Sequence, residues 1–364
     1  MTELQVRRDE LTTTRLVDAP GTTGDAPLED NEILAKIDRF AFTANNITYG
    51  VVGDQLGYWQ FFPPAGIDTD GWGLIPVWGF ADVVRSNVAE IPVGERLFGY
   101  FPPANYLKLT PTRVSKENFI DGSVHRAQLP AGYNNYRRVS AEPGYDRAND
   151  ALRMLFFPLH VTSFCLWDAL KSNEWYGAKQ IIIVSASSKT SIGLAYGLDM
   201  DAEAPPAIAV TSERNRGFVD KLGLYAAAVT YDDIANIDAS IPSVIVDMSG
   251  NDRALNELND HLGDNMTYCI RVGVTHRDAA SGDARLERST WFFAPSHIEQ
   301  RIKDWGSDGF LAKSTAFIQA TSARSRDWLR VTSIDGLKGL KAIFSDVANG
   351  EIAADEGLIV ALNH

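Results

Sequence analysis

Cysteine and long apolar runs are scarce in this chain of 364 residues. Only Cys165 and Cys269 are present, each inside an apolar run, so buried free thiols fit better than a disulfide. No stretch approaches the roughly 20 uninterrupted apolar residues that cross a bilayer, and the first residues lack the apolar core of a signal peptide. We therefore expect a cytoplasmic protein.

Metal-ligand spacings and several catalytic motifs are absent as well. The histidines are scattered, with no H-x-x-H, H-E-x-x-H or C-x-x-C spacing. Because catalytic zinc needs three converging protein ligands, no metal site is predicted. The Gly-x-Ser-x-Gly of serine hydrolases and the Tyr-x-x-x-Lys pair of short-chain dehydrogenases do not occur, and Lys189-Thr190 lacks the preceding glycines of a kinase-type phosphate loop.

Acidic residues outnumber basic residues in this chain. The formal net charge is -13 and the pI is near 4.9, so the surface repels phosphate backbones and anionic lipid. We therefore expect neither nucleic acid nor a membrane as a partner, and a phosphate ligand would need a local basic pocket. The length is sufficient for two cored domains, since single cores rarely grow beyond about 250 to 300 residues.

The first part of the chain is rich in strand signals. Short β-type runs at 33–37, 50–52, 77–84 and 96–100 are separated by Gly, Pro, Asn and Asp, which is typical of a small barrel or sandwich. The polar stretch 117–150 has weak periodicity. It predicts a long excursion over the surface, or a lid.

From Ala151 the pattern changes to strands alternating with helices. The strand runs are QIIIVSAS, PAIAVTS, AAVTYDD, SVIVDMSG and YCIRVGVTH, and the helical segments are SIGLAYGLDM, NRGFVDKLGL and ALNELNDHL. Because parallel strands need a crossover that returns over the sheet, we predict an α/β fold with a doubly wound parallel sheet. The tail predicts a helix at 337–349 and a last strand, GLIVAL.

The turn after the first buried strand is where such a sheet binds phosphate groups, because backbone N–H groups at the next helix start face the anion. The G-x-G-x-x-G fingerprint would fall on Ser188, Thr190 and Gly193, so only its last glycine is present. Small hydroxyl residues still allow close approach, and Lys189 could offset phosphate charge. The alternative is that these residues simply cap the helix. The predicted phosphate-binding residues are Ser188, Lys189, Thr190, Ser191 and Gly193.

The end of the second strand decides between nicotinamide cofactors. An acidic residue there binds the ribose diol of NAD, whereas hydroxyl and cationic groups suit the 2′-phosphate of NADP. The sequence favours NADP(H) through Thr211, Ser212, Arg214 and Arg216, although Glu213 keeps NADH open. The alternative is a solvated, charge-rich helix start.

The order of segments resembles the medium-chain dehydrogenase/reductase superfamily over nearly the whole chain. The segments that carry the resemblance are EILAKIDRFAFTANNITYGVVGD, IPVWGFADVV and VGERLFGYFPPANYLKL for the catalytic domain, and LHVTSFCLWDAL, KQIIIVSASSKTSIGLAYGL and AVTSERNRGFVDKLGLYAAAVTYDD for the cofactor domain. More narrowly, the sequence resembles a bacterial family of unknown function.

The resemblance implies a GroES-like β-rich domain from residues 1–150 and 306–364, with a Rossmann cofactor domain at 151–305 inserted between them. Gly94-Glu95-Arg96 stands where the superfamily has Gly-Asp-Arg. Val77-Trp78-Gly79-Phe80 replaces the Gly-His-Glu of zinc alcohol dehydrogenases, and AFTANN has no cysteine. The similarity is therefore closer to the zinc-free quinone and enoyl reductases, in which Asn45 or Asn46 would help to shape the site.

Without a metal, reduction of a carbonyl or an enone needs hydrogen-bond donors and a proton source. Related enoyl reductases use a tyrosine in this neighbourhood, so Tyr58 and Tyr49 are the candidates. A nearby aromatic cluster either lines an apolar substrate pocket or forms the core of the β-rich domain. That cluster consists of Tyr58, Trp59, Phe61, Phe62, Trp72 and Trp78.

The leading hypothesis is an NADPH-dependent, zinc-independent oxidoreductase that reduces a carbonyl or conjugated C=C bond of an apolar small molecule. The alternative is a non-catalytic binding or scaffold protein with a degenerate nucleotide site, because the turn has few glycines. By fold analogy Trp291, Phe292 and Phe293 would form an inter-domain or dimer contact, so a homodimer is an expected assembly.

Overall fold

The computed structural model describes residues 2–18, 27–272 and 288–362. The chain divides into two compact units. The first comprises Met1–Leu155, Arg330–Ile352 and Glu356–His364, and the second comprises Phe156–Leu329 and Ala353–Asp355. Early and late residues together therefore build the first unit, and the middle of the chain builds the second.

Strands dominate the first unit. In chain order they are β1 (Thr2–Arg7), β2 (Thr14–Asp18), β3 (Ile33–Phe42), β4 (Trp72–Gly73), β5 (Val77–Ser86), β6 (Arg96–Phe101), β7 (Tyr106–Leu109), β8 (Pro111–Thr112), β9 (Asn118–Asp121) and β10 (Asn135–Arg138). Helices α1 (Ala44–Val51) and α2 (Gly53–Leu56) follow β3, and α3 (Asp150–Ser172) continues into the second unit.

The second unit alternates strands with helices. Its strands are β11 (Gln180–Val184), β12 (Ala207–Thr211), β13 (Ala227–Thr230), β14 (Ser243–Asp247), β15 (Met266–Arg271) and β16 (Ser289–Trp291). Its helices are α4 (Lys189–Asp199), α5 (Glu213–Leu222), α6 (Asp252–Leu262) and α7 (Ala294–Ser325). Every residue of β11 is buried, as expected for a β-branched run covered on both faces of a sheet.

These strands form one parallel sheet in the order β13-β12-β11-β14-β15-β16. The chain moves from β11 to β12 and β13 on one side, and then returns to β14 on the other side of β11. The strand order therefore reverses between β11 and β14. The predicted α/β class with a doubly wound parallel sheet is confirmed.

Three late elements complete the first unit: β17 (Arg330–Asp335), α8 (Gly336–Ala348) and β18 (Glu356–Ala361). The larger sheet has the order β17-β18-β3-β5-β6-β10-β9-β8, with β7 also paired to β3, and the smaller sheet has the order β2-β1-β4. Strand β18 runs antiparallel to β3 with Leu358 opposite Phe42, and the rings of Phe42 and Phe344 in α8 lie 5.1 Å apart. The late elements are thus part of the core of this unit.

The strand predicted at 50–52 is wrong, because these residues lie at the end of α1 and just beyond it. The side chain of Asn46 accepts a hydrogen bond from the Thr43 N–H at 2.8 Å and so caps the helix start. Ile47, Tyr49 and Gly50 form its buried face. The β-branched residues that suggested a strand therefore end a short helix.

The stretch 117–150 is not a surface excursion throughout, because it supplies β9 and β10 to the larger sheet. Phe119 and Tyr136 on these strands are fully buried, and their rings stack at 5.5 Å. Arg126 and Asp121 form an ion pair at 3.2 Å that is almost completely buried. The polar composition of this segment therefore gave no indication of its strand pairing and its buried side-chain contacts.

Two elements near residue 300 were not predicted. β16 extends the parallel sheet by one strand and includes Trp291, which is 56% exposed. α7 runs past the predicted boundary at 305 with only a local kink at Gly306, so residues 306–329 lie in the second unit rather than the first. The first division between the units lies between Leu155 and Phe156, within α3.

Within the described part of the chain, no helix combines the length and the apolar character that a membrane crossing requires.

Candidate functional site

The turn between β11 and α4 lies where the strand order reverses. Ser185, directly after β11, has a φ of 61°, a left-handed conformation that glycine adopts more readily than serine. Ser188 is the N-cap of α4, and its Oγ accepts a hydrogen bond from the Ser191 N–H at 3.2 Å. α4 therefore begins at the carboxyl edge of the sheet, with its N-terminal turn held by side chains of the turn itself.

Several predicted phosphate-binding side chains make internal contacts. Ser188 Oγ donates to Ser191 Oγ at 2.8 Å, and Ser191 Oγ donates to the Ser185 carbonyl at 2.9 Å. Lys189 Nζ donates to the Ala354 carbonyl at 3.1 Å. The Thr190 carbonyl accepts from Ser163 Oγ at 2.8 Å. These contacts shape the turn, and Ser188 has the capping role that the sequence left as an alternative.

Gly193 packs directly against α3. A Cβ at this position would lie 2.5 Å from Ser163 Oγ and 2.7 Å from His160 Cδ2. In the dinucleotide fingerprint the third glycine allows the helix to pack closely on the strands, whereas Gly193 makes room for the neighbouring helix α3. His160 is fully buried with Nδ1 2.8 Å from Thr321 Oγ1, and burial lowers the pKa of its imidazole to about 3. A neutral histidine therefore supports the first turns of α4.

The end of β12 carries polar groups toward the same sheet edge. Thr211 is 1% exposed, and its Oγ1 has no hydrogen-bond partner among the residues that the structure describes. Ser212 is the N-cap of α5, with no capping bond from its side chain. Asn215 Nδ2 donates to Ser187 Oγ at 3.0 Å and so connects α5 to the turn after β11. The two turns are thus held together.

The two predicted cationic residues sit on the first turns of α5. Arg214 is exposed, and the half-buried Arg216 approaches Asp220 at 3.5 Å, one helical turn away. Glu213, the residue that kept NADH open, is also exposed in the first turn. Acidic and basic side chains are therefore both present at the position where the sequence predicts binding of the 2′-phosphate.

Asp247, at the end of β14, is a polar residue of this sheet edge that the sequence reasoning missed. Its buried carboxylate accepts hydrogen bonds from Ser249 N and Oγ at 2.8 and 2.6 Å and from Gly250 N at 3.0 Å. Burial raises its pKa, against the effect of these bonds. Tyr231 hydrogen-bonds with Ser185 and Ser249 beside it. The signal in the sequence was an acidic residue, followed by Ser-Gly, ending a buried strand.

The two candidate proton donors lie together in the first unit. The rings of Tyr49 and Tyr58 are 4.6 Å apart, and both side chains are nearly buried. The hydroxyl of Tyr58 shares a hydrogen bond of 2.9 Å with that of Tyr133. Burial raises the pKa of Tyr58 to about 12 and raises that of Tyr49 as well. Both phenols therefore keep their protons at neutral pH.

The two candidate asparagines have different surroundings. Asn46 is buried, and in addition to its capping bond its Nδ2 donates to the Pro76 carbonyl at 2.9 Å. Asn45 is half-buried and hydrogen-bonds with Tyr49, which lowers the pKa of that phenol against the larger effect of burial. Asn46 therefore holds the helix, and Asn45 interacts with one of the candidate phenols, Tyr49.

The aromatic cluster belongs mainly to the core of the first unit. Trp59, Phe61, Phe62 and Trp78 are each less than 10% exposed. Trp72 is half-buried under the guanidinium of Arg15, which lies 4.0 Å from its ring. Of the two interpretations that the sequence left open, core packing accounts for most of the cluster.

No group of three His, Cys, Asp or Glu side chains able to hold a metal ion occurs in residues 2–18, 27–272 and 288–362. His276 lies outside the described residues. Cys165 and Cys269 are free and buried, and burial raises the pKa of Cys269 to about 12. The absence of a catalytic metal stays a prediction.

The predicted residues thus form two groups. Tyr58, Tyr49, Asn45 and Asn46 lie close together in the first unit. The predicted cofactor-binding residues lie at the ends of β11 and β12 and in the first turns of α4 and α5, in the second unit.

Comparisons with known proteins place this geometry in a wider context. A family model described as "Protein of unknown function (DUF2855)" matches residues 40–353. A search of curated protein sequences gives no match.

Solved structures share the fold along the whole chain. CurA from Vibrio vulnificus, in complex with NADPH, has a TM-score of 0.66 at 12% identity, with 100% of both chains covered. Glucose dehydrogenase from Haloferax mediterranei, in complex with NADP, Zn and gluconolactone, has a TM-score of 0.55 at 12% identity, again over 100% of both chains. The YhdH oxidoreductase from Salmonella enterica, in complex with NADP, has a TM-score of 0.52 at 10% identity with the same coverage. The medium-chain dehydrogenase/reductase fold, with a GroES-like and a Rossmann part, is therefore confirmed.

Proposed function

Because this chain belongs to the family of unknown function that matches residues 40–353 and has the fold of medium-chain dehydrogenases/reductases, we propose that it is an NADPH-dependent oxidoreductase. It works without zinc and reduces a carbonyl or conjugated C=C bond of an apolar substrate. The zinc-independent part rests on Val77, Trp78, Gly79 and Phe80, which offer no ligand where zinc alcohol dehydrogenases have Gly-His-Glu.

The observation that carries the proposal is the start of α4 at the point where the strand order reverses. Ligands of open α/β sheets bind at this crevice, beyond the carboxyl ends of the strands. The first N–H groups of a helix lack partners within the helix, and the helix dipole favours an anion there. A dinucleotide pyrophosphate is the ligand that this arrangement fits best.

Two features of the second unit fit such a cofactor. Gly193, at the position of the last glycine of the fingerprint, permits close packing of α4 on α3, since a Cβ would lie 2.5 Å from Ser163 Oγ. The buried Oγ1 of Thr211 lacks a partner within the described chain, which leaves a polar group for a ligand. Ser188, Lys189, Thr190 and Ser191 would surround the pyrophosphate, and Ser212, Arg214 and Arg216 would bind the 2′-phosphate.

The reduction itself needs a hydride and a proton. NADPH, when bound, supplies the hydride. Tyr58 holds a proton on its hydroxyl, because its pKa is raised to about 12, and can transfer it to the reduced substrate. Tyr49 is the second candidate donor, and Asn45, which hydrogen-bonds with Tyr49, would orient it. Asn46 holds the helix that carries both residues.

The experiment that tests this function is nucleotide binding followed by thermal unfolding. A ligand at a hundred times its dissociation constant contributes about 2.7 kcal/mol to the stability of the folded chain. We expect NADPH to raise the melting temperature more than NADH does. Arg214→Ala should weaken NADPH binding by about tenfold, since a charge-assisted hydrogen bond contributes roughly 1.5 kcal/mol, and leave NADH binding nearly unchanged.

Arg253→Ala is the matched control for this change, because Arg253 is an exposed arginine on another helix of the same unit, α6. It should leave both affinities unchanged. Equal losses of NADPH and NADH binding in Arg214→Ala would refute the 2′-phosphate assignment.

A second function is a non-catalytic binding protein that has kept the fold. The observation that favours it is that side chains of the turn already hydrogen-bond within the protein. Ser188 bonds to Ser191, and Lys189 bonds to the Ala354 carbonyl. A cofactor must compete with these contacts. No thermal shift with either nucleotide would support this alternative over the oxidoreductase.

A further inference from the structure

Four tyrosines of the first unit contact one another in a closed circle. The ring centroids are 4.6 Å apart for Tyr49 and Tyr58, 5.7 Å for Tyr58 and Tyr133, 4.7 Å for Tyr133 and Tyr100, and 5.7 Å for Tyr100 and Tyr49. They come from α1, the turn that follows α2, the turn before β10, and β6. We call this group the tyrosine circle. Four separate segments therefore bring phenol side chains to one place.

The hydroxyls of the tyrosine circle are incompletely paired. Tyr58 and Tyr133 share one hydrogen bond of 2.9 Å, so one of them donates to the other and the remaining O–H can serve another acceptor. Tyr100 is fully buried, and its hydroxyl has no partner within residues 2–18, 27–272 and 288–362. An unpaired buried hydroxyl lowers stability, so its presence calls for an explanation.

The donors of the circle are uncharged. Burial raises the pKa of Tyr100 and Tyr133 well above the ordinary value, and neighbouring phenols add to the effect. The buried guanidinium of Arg126 hydrogen-bonds to Tyr136, whose hydroxyl donates to the Tyr100 carbonyl, so this cation supports the backbone of Tyr100. Neutral donors without a direct cation suit a neutral acceptor oxygen better than a carboxylate or phosphate.

Aromatic side chains surround the circle. The ring of Phe61 lies 5.3 Å from those of both Tyr100 and Tyr133, and the ring of Trp78 lies 5.2 Å from that of Tyr100. Phe61 and Trp78 belong to the packed core and hold aromatic faces against the circle, which favours a flat, conjugated ligand because aromatic faces stack on π-systems.

We propose that the tyrosine circle binds the carbonyl oxygen of an uncharged, conjugated aldehyde or ketone, with Tyr100 and the Tyr58–Tyr133 pair as the hydrogen-bond donors. The inference rests on the proposed function for the claim that this carbonyl compound is the substrate, but its binding requires no cofactor. Tyr100 and Tyr133 thereby join Tyr58 as residues that contact the ligand.

The test uses 4-(dimethylamino)cinnamaldehyde, a conjugated aldehyde whose absorption moves to longer wavelength when its carbonyl oxygen accepts hydrogen bonds. The full chain without nucleotide should give a saturable red shift. Tyr100→Phe and Tyr133→Phe keep the rings and remove one hydroxyl each, so each should weaken binding by about tenfold and reduce the red shift, as the loss of one ligand hydrogen bond predicts. Tyr176→Phe is the matched control, since Tyr176 stacks on Tyr268 in the second unit. It should bind the aldehyde as the unchanged protein does.

Thermal unfolding separates lost binding from lost folding. Because Tyr100→Phe removes a buried hydroxyl without a described partner, its melting temperature should equal or exceed that of the unchanged protein while its affinity falls. No saturable red shift in the unchanged protein, or equal affinity in Tyr100→Phe, would overturn the proposal. NADPH binding is measured separately, so a protein that binds the aldehyde but neither nucleotide retains the carbonyl site and loses the proposed oxidoreductase function.

Discussion

Gly193, in the first turns of α4, has no room for a side chain. A Cβ there would lie 2.5 Å from Ser163 Oγ and 2.7 Å from His160 Cδ2. Gly193→Ala should therefore destabilise the protein by about 1–3 kcal/mol, because α4 must move away from α3. Urea unfolding measures this loss.

Gly217→Ala is the matched control, since Gly217 also lies in a helix, α5, and a Cβ there would meet nothing within 4 Å. Alanine is the better helix former, so this change should raise the unfolding free energy by up to about 1 kcal/mol. If both substitutions had the same effect, the close packing at Gly193 would not be what excludes a side chain.

His160 makes the stability depend on pH. Its folded pKa of about 3 lies below the ordinary value of 6.5, so the unfolded chain binds the extra proton between these values. Stability from this group is therefore present above pH 6.5 and is lost as the pH falls toward 3, by up to about 1.4 kcal/mol per pH unit. His160→Asn places an amide near Thr321 and cannot take up this proton.

Urea unfolding between pH 4.5 and 7 compares the two proteins. Below about pH 6, the slope of unfolding free energy against pH should be smaller in His160→Asn by about 1.4 kcal/mol per pH unit, which corresponds to one bound proton. Identical slopes would show that His160 does not account for the acid sensitivity.

At this scale the sequence predicted positions better than contacts. The fingerprint spacing singled out Gly193 as a phosphate-binding residue, but it gave no indication of the close packing against α3 that the structure shows. The bonds of Ser191 to Ser185 and of Asp247 to Ser249 could not be predicted, because they depend on the path of the turns. The partner of Lys189 is a carbonyl 165 residues away, beyond the reach of any local pattern.

Arg96 connects several elements of the first unit. Its guanidinium donates to Asp38 and Asp150 at 2.8 Å and to Asp82 at 3.0 Å, joining β6 to β3, to β5 and to the start of α3. Asp150 is 1% exposed. Arg96→Leu should destabilise the protein by about 3–5 kcal/mol, because it leaves a buried carboxylate without its cation. Chemical denaturation measures the change.

Arg330→Leu is the comparison for Arg96→Leu. The Arg330–Glu356 pair spans 3.4 Å, and the arginine side chain is 62% exposed. Exposed pairs contribute little, so the loss should stay below about 1 kcal/mol. Similar losses in both variants would mean that the Arg96 network contributes no more than a surface ion pair.

Helices and strands could be predicted from the sequence where one hydrophobic pattern extends over the whole element. The central strands β11 and β14 carry β-branched apolar runs that are completely buried, and all five predicted strands occur. α7 was missed because its mixed composition gives no apolar stripe and Gly306 interrupts it. β9 and β10 were missed because each has only four residues and one buried aromatic side chain, Phe119 or Tyr136, inside a polar segment.

For the whole molecule, the resemblance to a family supplied what periodicity could not. No local pattern shows that residues 330–362 join a sheet with residues 33–42, since the pairing of β18 with β3 spans some three hundred positions. The resemblance implied that both parts build one domain; in the structure the late strands β17 and β18 belong to the first unit. It gave no reason to expect that α7 would extend the second unit to Leu329.

The contact of Phe344 with Phe42 tests this long-range assembly. Phe344 is 1% exposed, so Phe344→Ala should reduce the unfolding free energy by about 3–5 kcal/mol. Because the damage falls in the first unit, amide hydrogen exchange should quicken in β3 and β18 and stay unchanged in β11 and β14. Phe317→Ala, in α7 against Phe164, should show the opposite distribution. Faster exchange in all four strands of Phe344→Ala would show that the two units open together, contrary to this expectation.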